Sequence, residues 1–322
     1  MSSLRILLRS LAVAGLSAAL LAPASVARAE PTPAELTKQI EKSSTELERI
    51  VESYNKLNEE IKANKATAAT LQAKIGPMQA QTEKSRADVS QIAVTAYKTG
   101  GLRTAEALLE QGGSNSVTDR LSTLDQLTRQ RQATIAGFTT SQRKLIDEKT
   151  RLDATLAQEA AQARQLAAGK QKIQADLARL YELRRQAYGR ATEAPPRTSS
   201  AGSAPAIAGS AGVAVRYAYG AIGKPYVWGA DGPDGYDCSG LTLAAWRAAG
   251  KSLPHNAAMQ WDATSRVSRS SLQPGDLVFY SGLGHVAFYV GGGQVIDAPS
   301  AGRNVSKRDM DMMSIAGYGR VR

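Results

Sequence analysis

Cysteine occurs once and histidine twice in 322 residues. One cysteine excludes an internal disulfide framework, and two histidines leave no histidine-rich cluster of the kind that holds a metal. Aromatic residues make up only 5% of the chain, and all three tryptophans and two of the three phenylalanines fall in its last third. A dense core is therefore expected only there. No stretch interleaves aromatic and basic residues as a nucleic-acid-binding surface would, so the net charge of +11 reads as a solvated basic surface suited to an anionic wall or membrane. The longest apolar run, Leu11–Leu21, is too short to span a bilayer comfortably. It follows Arg5 and Arg9 and precedes Ala27-Arg28-Ala29, the order of a cleavable export signal over residues 1–29. Removing that segment takes the net charge from +11 to +8.

What the chain does have comes in two parts. Residues 30–190 carry apolar side chains at a 3-4 spacing. One row runs Leu36, Ile40, Leu47, Ile50, Tyr54, Leu57, Ile61, Ala68, Leu71 and Ile75. A second runs Leu121, Leu124, Arg131, Ile135, Phe138, Gln142, Leu145, Leu152, Leu156, Leu166, Ile173, Leu177 and Leu180. This is the pattern of a coiled coil. Gly76-Pro77 is expected to kink the first arm. The glycine-rich stretch from Gly100 to Asn115 is expected to reverse the chain, with a short helix at Leu102–Glu110, giving an antiparallel hairpin. Polar residues on the rows (Ser43, Asn64, Arg131, Gln142) are either ordinary tolerance or the mark of a hairpin awaiting another helix. Residues 191–212, rich in Ala, Pro, Ser and Gly, read as a linker.

Residues 213–322 form a domain of ordinary size. A short helix at Val213–Ile222 opens it. Asp237 reads as the N-cap of a helix that ends at Gly250, which puts Cys238 in the first turn. The unpaired N–H groups there favour a thiolate, so this lone thiol reads as a nucleophile rather than an accident or an intermolecular link. Strands follow at Leu277–Tyr280, His285–Val290 and Gln294–Ala298, the last two joined by Gly291-Gly292-Gly293. Helices first and an antiparallel sheet after them give an α+β fold.

A cysteine nucleophile needs a base and a group to orient that base. Only His255 and His285 offer an imidazole. With Phe288 beside Ile296 on a core face, Ala287 faces Asp297, and His285 and Asp297 lie diagonally on one face. The set Cys238–His285–Asp297 follows. Each of the last two would equally serve as an ordinary strand-end residue.

Pro225-Tyr226-Val227-Trp228-Gly229, Asp237-Cys238-Ser239-Gly240-Leu241, Gln273-Pro274-Gly275-Asp276-Leu277 and His285-Val286-Ala287-Phe288-Tyr289, in this order, resemble an NlpC/P60 cysteine peptidase domain. The resemblance covers residues 213–322. It implies a papain-like half fold and hydrolysis of peptidoglycan stem peptides, most often between D-glutamate and a diamino acid such as diaminopimelate. It implies Cys238 as nucleophile, His285 as base, Tyr226 and the Cys238 N–H as oxyanion donors, and Asp237 and Ser239 as substrate contacts. For these last two, an N-cap and a first-turn serine are the plain alternative. His255 falls where relatives place a polar groove residue. Many members carry a third histidine where this chain has Asp297. No metal or organic cofactor is implied.

The N-terminal part, with Ala96-Tyr97-Lys98-Thr99-Gly100 and Asp119-Arg120-Leu121-Ser122-Thr123-Leu124, resembles exported wall hydrolases of Gram-positive and actinobacterial cells. The hairpin is then implied to dock on a membrane complex of the FtsE/FtsX type and to hold the enzyme inactive. The alternatives are a non-catalytic wall-binding scaffold and a cysteine amidase or acyltransferase of related fold.

Overall fold

The computed structural model describes residues 32–99, 117–192 and 203–322. The expected export signal and the expected reversal with its tip helix lie outside them.

Helix α1 spans Pro33–Thr99. It starts with a reciprocal cap: Thr32 N–H donates to the Glu35 carboxylate at 2.8 Å, and Glu35 N–H donates to Thr32 Oγ1 at 3.3 Å. The helix continues through Pro77. Proline removes one ladder bond, and α1 as a whole is held by packing along a second helix, so the loss does not end it. That second helix, α2, spans Val117–Tyr188. The two run antiparallel: Thr37 meets Tyr188, Tyr54 packs by Gly169, and Asn64 Nδ2 donates to Gln162 Oε1 at 2.7 Å. The last contact turns the polar Asn64 of the expected seam into a satisfied pair.

The first expected row holds, with Leu36, Ile40, Leu47, Ile61, Ala68 and Ile75 buried. The second is partly displaced. Ile173 and Leu180 are fully buried, but Leu121, Ile135 and Leu156 are about half exposed, and Arg131 and Gln142 face solvent. Phe138, Leu145 and Leu152 of the expected row do turn inward, joined by Ser141, Glu148 and Thr155. Where polar and apolar residues mix this freely, several 3-4 rows are available, and the partner helix selects one.

The C-terminal domain opens with helix α3, Gly209–Ala221, four residues before its expected start. Ala204 and Ile207, within the expected linker, already pack on the core. Helix α4 spans Cys238–Ala248 and helix α5 spans Ala257–Ala263. Six strands follow: β1 Ser265–Val267, β2 Leu277–Tyr280, β3 His285–Gly291, β4 Gln294–Asp297, β5 Ser306–Asp309 and β6 Ile315–Arg320. They make one antiparallel sheet in the order β1-β6-β2-β3-β4-β5. Phe288 pairs with Ile296, which is the expected register. A bulge before the turn sets Gly291 opposite Gln294, so the turn proper is Gly292-Gly293.

The sheet is buried on both faces. Val286, Phe288, Val290 and Ile296 pack under Leu241, Ala245 and Trp246 of α4, while Val278, Tyr280, Ala287, Val295 and Met310 form a second cluster. The first cluster also takes in Ile40, Leu47 and Val51 of α1 and Ile173 and Leu180 of α2. The base of the hairpin is thus part of the domain core.

Candidate functional site

Asp237 caps α4 as the sequence predicts, with Oδ1 accepting from Gly240 N–H at 2.7 Å. Gly240 has no alternative: a Cβ there would stand 2.1 Å from the Ala230 carbonyl oxygen. The cap and the glycine together seat Cys238 in the first turn, 1% exposed.

β3 and β4 bring the next pair together. His285 Nε2 lies 2.9 Å from Asp297 Oδ2, both groups buried. Burial alone would push the Asp297 carboxyl up. Hydrogen bonds from His285 and Arg308 outweigh it and hold the group below its ordinary value. Burial likewise works against a charged His285, but Glu48 and Asp297 override it and raise the imidazole above its usual range.

Asp237 is saturated. Besides Gly240 it accepts from Gly229 N–H at 2.8 Å and from Asn55 Nδ2 at 2.9 Å, and His255 Nε2 lies 2.8 Å away. His255, expected to line a groove, is therefore buried on Asp237, because a buried carboxylate beside it needs partners more than solvent needs an imidazole. Ser239 Oγ donates at 2.7 Å to Glu52 and lies 3.4 Å from Asp237. Tyr226 is buried; desolvation, then the nearby Asp237 and Cys238, push its phenol well above the ordinary value. Its hydroxyl is therefore neutral and within electrostatic range of the thiol.

The hairpin supplies what the sequence did not suggest. Glu52, buried, points into the site from α1. Its Oε1 accepts from Ser239 Oγ and lies 3.4 Å from Cys238 Sγ. Its Oε2 accepts from Asn256 Nδ2 at 2.8 Å and Ala257 N–H at 2.5 Å. One turn earlier, Glu48 Oε1 stands 3.6 Å from His285 Nδ1, a nitrogen that has no hydrogen-bond partner among the described residues. Burial pushes both carboxyls up to about 7, and Asp237 adds to the shift of Glu52.

The thiol departs from the expectation drawn from helix position. Burial, then the carboxylates of Glu52, Asp237 and Glu48, raise it well above its ordinary value. Burial together with these carboxyls outweighs one helix N-terminus, and the Cys238 thiol donates to Glu52. A cavity of about 730 Å³ opens nearby between Glu48, Arg184, Arg303, Arg308 and Met312, and Cys238 is not among its walls.

Glu48, Glu52 and Asn55 carry no motif and read as polar flanks of a seam. Their only signal is Val51, an apolar residue off the row, now 1% exposed. Arg308 sits in Ser306-Lys307-Arg308-Asp309, a polar strand with no apolar alternation to reveal it.

The profile of the NlpC/P60 family matches residues 223–318. The C-terminal domain belongs to that family. Among similar proteins are Probable endopeptidase p60 of Listeria grayi, 44% identical over 105 residues, and a Probable endopeptidase of Corynebacterium glutamicum, 46% identical over 93. The shared region covers 31% and 29% of this chain, and 20% and 44% of those relatives. The chain thus spans less than half the length of these relatives. Among solved structures, the NlpC/p60 domain of the peptidoglycan hydrolase SagA is 34% identical, over 34% of this chain and 98% of that one, with a TM-score of 0.33. The peptidoglycan hydrolase RipB of Mycobacterium tuberculosis is 28% identical, over 35% and 64%, with a TM-score of 0.33.

Proposed function

We propose that this chain is an exported, wall-associated cysteine endopeptidase that cuts peptidoglycan stem peptides between D-glutamate and a diamino acid, and that its own hairpin holds it latent. The observation that supports the reading is one turn of α1 that meets both Cys238, through Glu52, and the buried His285–Asp297 pair, through Glu48, in a domain of the NlpC/P60 family.

In the released enzyme, His285 takes the Cys238 proton through Nδ1 while Asp297 holds Nε2–H. The sulfur attacks the scissile carbonyl carbon. The oxyanion is met by the Cys238 N–H and the Tyr226 hydroxyl. His285 returns the proton to the leaving amine, and water hydrolyses the thioester. Asp237, freed of Asn55, and Ser239, freed of Glu52, hold polar groups of the substrate.

Latency is supported by the chemistry of α1. The Cys238 proton is directed to Glu52 rather than to a base that would activate the sulfur, and Glu48 faces the Nδ1 that should receive it. Release therefore requires these two carboxyls to be withdrawn from Cys238 and His285. An FtsE/FtsX-type membrane complex fits as the releasing partner, since the distal part of the hairpin exposes Val94, Tyr97, Leu121, Leu127, Ile135 and Ile146.

Mass spectrometry of muropeptides tests both parts. Glu48→Ala/Glu52→Ala should yield the D-glutamate-terminated fragment, wild type should yield it at least about tenfold more slowly, and adding Cys238→Ala should abolish it. No product from any form removes the endopeptidase. Equal rates for wild type and the double variant remove latency.

A further inference from the structure

We propose that Arg308 is a positioning residue for His285, acting through a two-point grip on the Asp297 carboxylate. The inference rests on the catalytic reading above and extends it to a fourth residue, on a third strand.

Three neighbouring strands carry the chain of contacts. His285 is on β3, Asp297 on β4 and Arg308 on β5. Asp297 pairs with Ser306 and Val295 with Arg308, so Arg308 is diagonal to Asp297, a separation that a long side chain spans. Arg308 Nε donates to Asp297 Oδ1 at 2.9 Å, and its Nη2 donates to Oδ2, the oxygen that also meets His285 Nε2.

A carboxylate held by one partner can rotate about its Cβ–Cγ bond or take up a proton. Either would free His285 to carry its proton on Nδ1, the nitrogen that must present a lone pair to the thiol. A guanidinium fork fixes the carboxylate plane at both oxygens, which an ammonium cannot do. Asp297 is fully buried, so a single imidazole partner would leave its charge poorly compensated. The depressed Asp297 carboxyl agrees with this.

The groups facing His285 are Asp297 and Tyr280 within the sheet and Glu48 from α1, with the Arg308 charge behind Asp297. As a mere positive charge, Arg308 would act against protonated His285, and its removal would raise the imidazole pKa with the tautomer unchanged. As a grip, its removal loosens Asp297, lowers that pKa and mixes the tautomers. The two roles predict opposite signs.

The test uses the full chain carrying Glu48→Ala/Glu52→Ala, labelled with ¹⁵N-histidine. Only His255 and His285 contribute signals, and His255→Gln assigns them. In Arg308-containing protein, His285 above its titration should show one tautomer, protonated at Nε2. Arg308→Met should give averaged nitrogen shifts, a lower imidazole pKa and a kcat lower by about tenfold or more, with KM within about twofold. Arg308→Lys keeps the charge, serves if Arg308→Met does not fold, and should fall between the two. A raised pKa with an unchanged tautomer in Arg308→Met, or wild-type tautomer and kcat in Arg308→Lys, overturns the proposal. If no form cuts muropeptides, the catalytic reading falls, and the nitrogen shifts still decide whether Arg308 positions His285.

Discussion

Glu52 does two things to Cys238 at once. It gives the thiol proton an acceptor that no substrate can use, and it places a carboxylate where a thiolate would form. Alkylation of Cys238 by iodoacetamide should therefore be slow in the full chain at pH 7.5. Glu52→Ala should raise the rate by at least about tenfold, since each pKa unit removed from the thiol is worth a factor of ten in thiolate. An unchanged rate would mean that neither contact restrains the thiol. At this scale the sequence was informative about the domain's own residues. Asp237 could be read as a cap because a short acceptor stands directly before an apolar helical run, and Asp297 because β-strand alternation left it on the face of His285. Glu52 could not be read, since nothing in a helix full of glutamates distinguishes the one that is buried.

The element that matters is the turn of α1 from Glu48 to Asn55. Its carboxyls sit at about 7 when docked, while a released helix leaves them near 4.5. An acid raised in one state binds more protons there. Docking is thus favoured below about pH 4.5, and that contribution is lost as pH rises from there through about 7. The pH-independent alkylation constant of Cys238 should rise between about pH 5 and 7.5 in wild type and stay flat in Glu48→Gln/Glu52→Gln. A rise that persists in the double variant would assign the effect elsewhere. The first helix row was legible because Leu, Ile and Ala recur at strict spacing in α1. The row of α2 was legible only in part: Phe138, Leu145, Leu152, Ile173 and Leu180 hold, while Leu121, Ile135 and Leu156 do not, because Arg131, Gln142 and Thr155 leave several rows open until a partner chooses.

Across the whole molecule, hairpin and domain share one core. Ile173 and Leu180 are fully buried in the cluster that holds Phe288 and Leu241. Ile173→Ala or Leu180→Ala should cost about 2–5 kcal/mol in urea unfolding and should also speed Cys238 alkylation, because the hole lies beneath the docked turn. Loss of stability without faster alkylation would separate packing from docking. The α+β order and the central strands were legible from alternation and glycine turns. Strands β1, β5 and β6 were not: Ser265–Val267, Ser306–Asp309 and Ile315–Arg320 are short, polar or glycine-broken, and only their neighbours make them strands.

The continuity of α1 has one more consequence. About 47 residues separate Glu52 from Thr99 with no break at Pro77, which at 1.5 Å per residue is about 70 Å of rod. In the proposed latent state the hairpin is a ruler as well as a stopper: a partner that grips α1 beyond Pro77 holds the docked domain, and Cys238 with it, at a set distance from itself.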